Sequence, residues 1–106
     1  MISIIFYHSS SHAPVGFHIE GHSGYASSGS DIICASVSSA ALMAANTLSE
    51  IMGIEIDATV DDDGEMTVTV QESDAEKAKD VLLGLELHLT ELSRQYPKNV
   101  TITTEV

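Results

Sequence analysis

The spacing of apolar residues changes period four times along this chain, and that pattern limits the folds open to it. Alternate positions are apolar in residues 2–6, 15–19, 54–60 and 66–70, as in strands that pack on a core. Two longer stretches repeat at steps of three and four, the spacing of an amphipathic helix; they are 33–52 and 78–92. A short last strand follows at 100–104. The predicted order is therefore ββαββαβ.

This order predicts an α/β fold, more narrowly an α+β two-layer sandwich. Two helices would lie on a largely antiparallel or mixed five-stranded sheet. At 106 residues the chain has the size of one domain, 1–106. Leu83 and Leu87 lie off the buried stripe of the second helix. They are either ordinary edge residues or part of a subunit interface.

Turn and cap residues set the expected helix boundaries. Residues 21–30 hold three glycines and four serines, which predicts a mobile loop. Ser30 or Asp31 is then expected to cap the first helix, and Gly53 to end it. A capping box at 73–76 is expected to open the second helix.

The charge and the cysteine count exclude several classes of protein. Four basic residues stand against 16 acidic ones, a formal net charge of −12, which repels nucleic acid and attracts a basic partner. One cysteine permits no internal disulfide, as is common in a reducing compartment. We find no signal peptide and expect no apolar run of the roughly 20 residues that a membrane span needs. The sequence thus predicts a cytoplasmic protein without a membrane segment.

Cys34 is the first candidate for chemistry. It is expected in the first turn of the first helix, where unpaired N–H groups and the helix dipole favour a thiolate. The thiolate is the nucleophilic form of cysteine. The alternative is a small packing residue between Ile33 and Ala35, because free cysteine is commonly buried.

His22 strengthens the catalytic interpretation of Cys34. It follows the second strand, and one short loop joins that strand to the helix that carries Cys34. An imidazole at that point is within reach of the thiol, could lower its pKa and could protonate a leaving amine. The alternative is a polar loop histidine without a role.

Asp31 and Ser38 share a helix face with Cys34, because they stand three residues before it and four after it. Asp31 is a candidate for orienting His22 or shaping the site entrance, as well as for capping the helix. Ser38 is a candidate hydrogen-bond donor to the thiol. Packing alone would also account for a serine in a helix this rich in small residues.

Metal chemistry is the weaker alternative. His18, Glu20 and His22 stand close together, but they lie on a strand and a loop and lack the H-E-x-x-H spacing of a helical zinc site. We therefore expect no metal and no cofactor. A metal-dependent hydrolase using His18 and His22 would lose its activity to chelators.

Two linked motifs resemble one known family. Residues 16–26 read GFHIEGHSGYA, and residues 31–38 read DIICASVS. They resemble the G-F-x-I-x-G-H-x-G-Y and D-I-V-C-A-x-V-S motifs of the ribosomal-processing cysteine protease family, Prp. The close match covers residues 16–38.

The resemblance implies a cysteine endopeptidase in which His22 and Cys34 form the catalytic dyad. Such enzymes remove an N-terminal extension from the twenty-seventh protein of the large ribosomal subunit. The resemblance also implies a homodimer. Residues that would support the site or bind substrate are Asp31, Ser38, Gly21, Gly24 and Ala35. Backbone N–H groups around Cys34 and Ala35 would stabilise the oxyanion, and residues 24–29 would form a lid with glycine hinges.

One alternative belongs to a different class. An acidic domain of this kind could be a non-catalytic factor that binds a basic ribosomal protein. In that case Cys34 is a packing residue, and Cys34→Ala leaves partner binding unchanged.

Overall fold

The computed structural model describes residues 1–21, 28–61 and 65–106, the side chains of residues 28–31 excepted. Its strands are β1 Ile2–His8, β2 Pro14–Glu20, β3 Ile56–Val60, β4 Met66–Val70 and β5 Val100–Glu105, and its long helices are α1 Ser28–Asn46 and α2 Ala75–Gln95. A π-helical turn, Thr47–Ile51, extends α1, and a 3₁₀ turn, Glu72–Asp74, precedes α2. The predicted ββαββαβ order is confirmed, as is the two-layer α+β architecture.

The five strands form one open, mixed sheet in the order β3-β4-β2-β1-β5. Strands β1 and β5 run parallel, and the other neighbouring pairs are antiparallel. Strand β2 is therefore central, and both helices pack on one face of the sheet. The opposite face carries no helix among the described residues.

The core lies between this sheet and the helices. Phe6 of β1 stands directly opposite Phe17 of β2, and their rings meet edge to face with centroids 5.9 Å apart. Both rings are buried. Aromatic pairs in this arrangement contribute roughly 0.5–1.5 kcal/mol beyond their buried area. The alternation of β1 and β2 thus turns their largest side chains towards the helices.

The predicted stripe of α1 packs on this core. Five of its six predicted residues are buried: Ile33, Val37, Ala41, Ala44 and Leu48. The sixth, Met52, follows the π-helical turn and is exposed, so that part of the prediction is wrong. Two of these buried residues are alanines: Ala41 is 0% exposed and Ala44 is 1% exposed. Small side chains thus occupy the buried side of α1. On α2, the stripe of Ala78, Leu82, Leu85 and Leu89 is buried in the same way.

The start of each helix differs from the expectation. Helix α1 begins at Ser28, so the predicted cap at Ser30 or Asp31 is wrong, and the last residues of the expected loop are helical. The capping box at 73–76 is not formed, because the Asp74 N–H donates to the Gln71 carbonyl in a 3₁₀ turn. A backbone hydrogen bond between residues three apart thus precedes α2, in place of a side-chain cap.

The predicted stop after α1 is confirmed. Gly53 has a φ of +67°, the left-handed conformation that ends a helix and favours glycine. The sequence pattern predicts that Ile54 begins the next strand, but Ile54 lies outside it. Its side chain is buried, and its N–H donates to the Leu48 carbonyl. Strand β3 starts two residues later and is an exposed edge.

One expectation about composition is wrong. Residues Ile32–Ile51 are long and apolar enough to cross a membrane by length and composition alone. Their serines interrupt the run but do not lower its hydropathy enough to exclude it. In the fold, the stripe that includes Val37 and Ala41 packs on the sheet, as in the core helix of a globular protein.

We expect Ala41→Leu to destabilise the fold by roughly 1–3 kcal/mol, because three extra carbons must enter a fully buried position of the core. Urea unfolding followed by circular dichroism measures this change. Ala58→Leu on the exposed strand β3 is the matched control and should change stability by less than about 0.5 kcal/mol. Equal unfolding midpoints for the two variants would contradict the close packing of α1.

Candidate active site

Cys34 lies on α1, on the side of the sheet that the helices cover. The residue is half-buried and packs against the main core cluster. It stands next to Ile33, whose side chain faces the sheet. The thiol therefore lies at the border between the core and the exposed flank of α1. A residue at such a border can both pack against the core and react with a substrate.

The position of Cys34 along α1 corrects one expectation. With α1 starting at Ser28, Cys34 is the seventh helical residue and does not lie in the first turn. In an α-helix only the first four N–H groups lack a partner within the helix. The N–H groups of Cys34 and Ala35 are therefore used within α1. In this conformation they cannot form the expected oxyanion site, and Cys34 lies six residues, almost two turns, after the helix start.

Ser38 is one helical turn after Cys34 and is also half-buried. Side chains four residues apart stack along one side of a helix, and the Cα–Cβ bond tilts towards the helix N-terminus. The Ser38 side chain therefore extends towards Cys34. We call this side of α1 the thiol flank.

Gly21 ends the described part of the chain before the other motif residue. Its φ is +86°, which L side chains rarely adopt, and a Cβ there would collide with the Met1 carbonyl oxygen. Glycine is thus required on two grounds at the residue before position 22. The expected importance of Gly21 has a local structural cause.

Three predicted site residues cannot be compared with their expected geometry. His22 and Gly24 lie outside the described residues, and so does most of the expected lid at 24–29. Asp31 belongs to α1, but its side chain is not described. The pairing of His22 with Cys34 therefore stays a prediction.

A groove of about 920 Å³ runs between α1 and α2 on the outer surface of the helix layer. Ala35 lines it, together with residues such as Ile32, Met43 and His88. Cys34 and Ser38 are not among its lining residues. The groove therefore lies on the other flank of α1, and Ala35 faces away from the thiol flank.

A cluster that the sequence pattern did not reveal lies on the uncovered face of the sheet. His18 Nε2 is 3.3 Å from Glu20 Oε2 and 3.5 Å from Glu65 Oε1, and His18 Nδ1 is 2.7 Å from Thr67 Oγ1. Glu65 is 45 residues away from Glu20 in the chain. Only the β2–β4 register, which pairs His18 with Thr67 and Ile19 with Met66, brings them together.

The two carboxyl groups of this cluster influence each other. A hydrogen bond to Glu20 raises the pKa of Glu65 above its ordinary value, and Asp61 raises it further. The pKa of Glu20 is lowered, first by its hydrogen bond to Glu65 and then by that to His18. The hydrogen bond between the two carboxyl groups therefore shifts their pKa values in opposite directions.

Comparison with known proteins agrees with this fold and with the motifs. The model of the family described as "Cysteine protease Prp" matches residues 1–101. The ribosomal processing cysteine protease Prp of Bacillus subtilis (strain 168) is 26% identical over 97 residues, which is 87% of each chain.

Solved structures share the whole fold. A Prp from Staphylococcus aureus, crystallised with a substrate peptide, superposes with a TM-score of 0.89 at 18% identity and covers 99% of this chain and 100% of its own. SMU.848 from Streptococcus mutans gives a TM-score of 0.85 at 26% identity, covering 99% and 96%. The chain therefore belongs to the Prp family of ribosomal-processing cysteine proteases, enzymes that hydrolyse peptide bonds.

Proposed function

We propose that this protein cleaves an N-terminal extension from the twenty-seventh protein of the large ribosomal subunit, with Cys34 as nucleophile and His22 as its partner. The assignment of Cys34 rests on the number of cysteines in the chain. A cysteine protease needs a thiolate nucleophile, and the chain has one cysteine. Cys34 is only half-buried, so the residue is not sealed inside the core.

The choice of His22 among five histidines rests on where the other four lie. His8 is 3.1 Å from Glu86, and His12 is in the turn between β1 and β2, at the end of β2 away from Gly21. His18 is on the uncovered sheet face, and His88 lines the groove on the far flank of α1. None of these four shares the thiol flank. His22 follows Gly21 directly and belongs to the segment that joins β2 to α1.

The proposed reaction has two steps. The Cys34 thiolate attacks the scissile carbonyl carbon, a C–S bond forms, and the C–N bond breaks as His22 protonates the leaving amine. Water then attacks the thioester, His22 accepts its proton, and the carboxylate product leaves the regenerated thiolate. Ser38 donates a hydrogen bond towards the sulfur from one turn below, and Asp31 acts as a positioning residue for His22.

The substrate class follows from charge and from the family. Sixteen acidic residues against four basic ones make the surface attractive to a basic chain segment, such as the N-terminal part of a ribosomal protein. The relative from B. subtilis bears the name of a ribosomal processing protease. A substrate of this class is the reason for which we propose a cytoplasmic location.

The alternative of a non-catalytic acidic binding factor loses its support, because the family is one of proteases. Both interpretations share the acidic surface. They differ in what they require of Cys34, which the next experiment separates.

We expect Cys34→Ala to abolish cleavage of a peptide that spans the junction of the extension, and His22→Ala to lower kcat by about 10²–10⁴-fold. Cleavage is measured by mass spectrometry of the two products. His22→Ala should also slow alkylation of Cys34 by iodoacetamide by about tenfold near pH 6.5, because less thiolate is present.

His88→Ala is the matched control for the dyad, since His88 lies on the opposite flank of α1. It should cleave the peptide and react with iodoacetamide at the unmodified rate. Full cleavage by Cys34→Ala would disprove the nucleophile, and alkylation indifferent to His22→Ala would disprove the pair.

We expect Gly21→Ala to reduce kcat at least about tenfold, because relieving the collision with Met1 moves the chain that leads into His22. Gly53→Ala is the matched control. Gly53 also has a positive φ, but a Cβ there meets nothing within 4 Å. Both variants should lose roughly 1–2 kcal/mol from backbone strain. Only Gly21→Ala should lose activity, and equal activity in the two variants would contradict a positioning role.

We also propose that the enzyme is a homodimer whose interface includes the outer surface of the helix layer. Leu83 and Leu87 are confirmed as off-stripe residues and are exposed, Leu87 to 64%. Met43 and Ile51 on the α1 side are exposed as well. Several exposed large apolar side chains on one layer are typical of an association surface.

For this dimer we expect Leu87→Glu to shift the mass measured by light scattering from two chains towards one, because a charge would be buried at the interface. Val106→Glu replaces another exposed apolar residue, away from the helices, and should leave the mass unchanged. A monomeric parent protein, or a dimer that tolerates Leu87→Glu, would contradict this interface.

A further inference from the structure

Three metal-ligating side chains meet on the uncovered face of the sheet, outside the proposed dyad. His18 and Glu20 are two residues apart on β2 and therefore share one face. Glu65 directly precedes β4, at the position that the β2–β4 register sets opposite Glu20. One ligand atom from each residue lies within 4.8 Å of the other two. Two neighbouring strands thus supply one imidazole and two carboxylates.

The distances suit a small tetrahedral ion. Zn²⁺ binds nitrogen and oxygen ligands at about 2.0–2.2 Å, so two ligands of one tetrahedron lie roughly 3.3–3.5 Å apart. His18 Nε2 already lies 3.3 Å from Glu20 Oε2 and 3.5 Å from Glu65 Oε1. The remaining edge, between the two carboxylates, closes by side-chain rotation at the partly exposed Glu20 and Glu65.

Thr67 fixes the orientation of the imidazole. Its Oγ1 is 2.7 Å from His18 Nδ1, the ring nitrogen that does not face the carboxylates. A histidine that binds a metal commonly donates its other N–H to an oxygen, which sets the tautomer and the ring plane. With Nδ1–H donating to Thr67, the lone pair of Nε2 points at the space between Glu20 and Glu65.

The charges of the cluster also favour a cation. Glu65 precedes β4 at the position where a continued β2–β4 register would set it opposite Glu20, and two ionised carboxylates in that arrangement would repel each other. Asp61 adds a third carboxylate, whose Oδ1 accepts the Glu65 N–H at 2.9 Å. The −12 charge of the whole chain acts in the same direction. A divalent cation would offset this repulsion.

We propose that His18, Glu20 and Glu65 bind one Zn²⁺ ion, with water as the fourth ligand, and that this ion ties β2 to β4. An imidazole among the ligands favours zinc over calcium or magnesium, which prefer all-oxygen sites. The site lies across the sheet from Cys34, so its role is structural. It holds the end of β2 that leads through Gly21 to the catalytic segment.

The test is a titration of ZnCl₂ into the full chain by calorimetry, in a Cys34→Ser background that removes the thiol as a competing ligand. We expect saturable binding of one ion per chain and a rise in Tm. His18→Gln and Glu65→Gln should each weaken binding more than about tenfold, and Thr67→Val about 10- to 100-fold. Glu20→Gln serves as a further ligand variant if His18→Gln does not fold.

His12→Gln and Glu105→Gln are the matched controls, because both residues are surface groups outside the cluster. They should bind Zn²⁺ like the parent. Absence of saturable binding would overturn the proposal, and so would equal weakening by His12→Gln. A site lost in His22→Gln but intact in Glu65→Gln would place the ion at the dyad instead and would equally overturn it.

Discussion

The contact between the small-residue stripe of α1 and the sheet is the constraint on which the rest of the molecule depends. Ala41 and Ala44 are buried in the same core cluster as Phe6 and Phe17. Because one side of α1 is buried and the others are not, the helix cannot rotate about its axis without burying a polar side chain or exposing Val37. The direction in which Cys34 points is thereby fixed by residues that take no part in chemistry.

Helix α1 carries three functions on three of its sides. One side is core, one is the thiol flank with Cys34 and Ser38, and one lines the groove against α2. Successive residues of a helix point in directions about 100° apart, so a substitution on one side leaves the other sides nearly unchanged. Peptide cleavage and subunit association, as proposed for this enzyme, can therefore use the same helix without competing for surface.

The sequence predicted the elements and their order because period-2 and period-3.6 patterns are strong in this chain. It predicted the stop at Gly53, which needs only local geometry. It failed at the start of α1, where Ser28 and Gly29 are weak helix formers that the helix nevertheless includes. That shift of three residues moved Cys34 out of the first turn and removed the dipole argument. The Prp motifs identified the family independently of that error.

The cluster around His18 was beyond the reach of sequence reasoning for a different reason. His18 and Glu20 are visible as an i, i+2 pair, but Glu65 joins them only through pairing of β2 with β4. Strands β2 and β4 are neighbours in the sheet, but α1 and β3 lie between them in the chain. No local sequence pattern therefore encodes their register.

The parallel pairing of β1 with β5 has a consequence for how the enzyme comes into being. Residues Ile2 to Tyr7 bond to Val100 to Glu105, so the first strand to be synthesised waits for the last. Contacts between such distant residues form late, since a long loop must close before they are rewarded. The sheet is therefore complete only when β5 has emerged. A protease with this topology cannot complete its sheet before β5 has been translated.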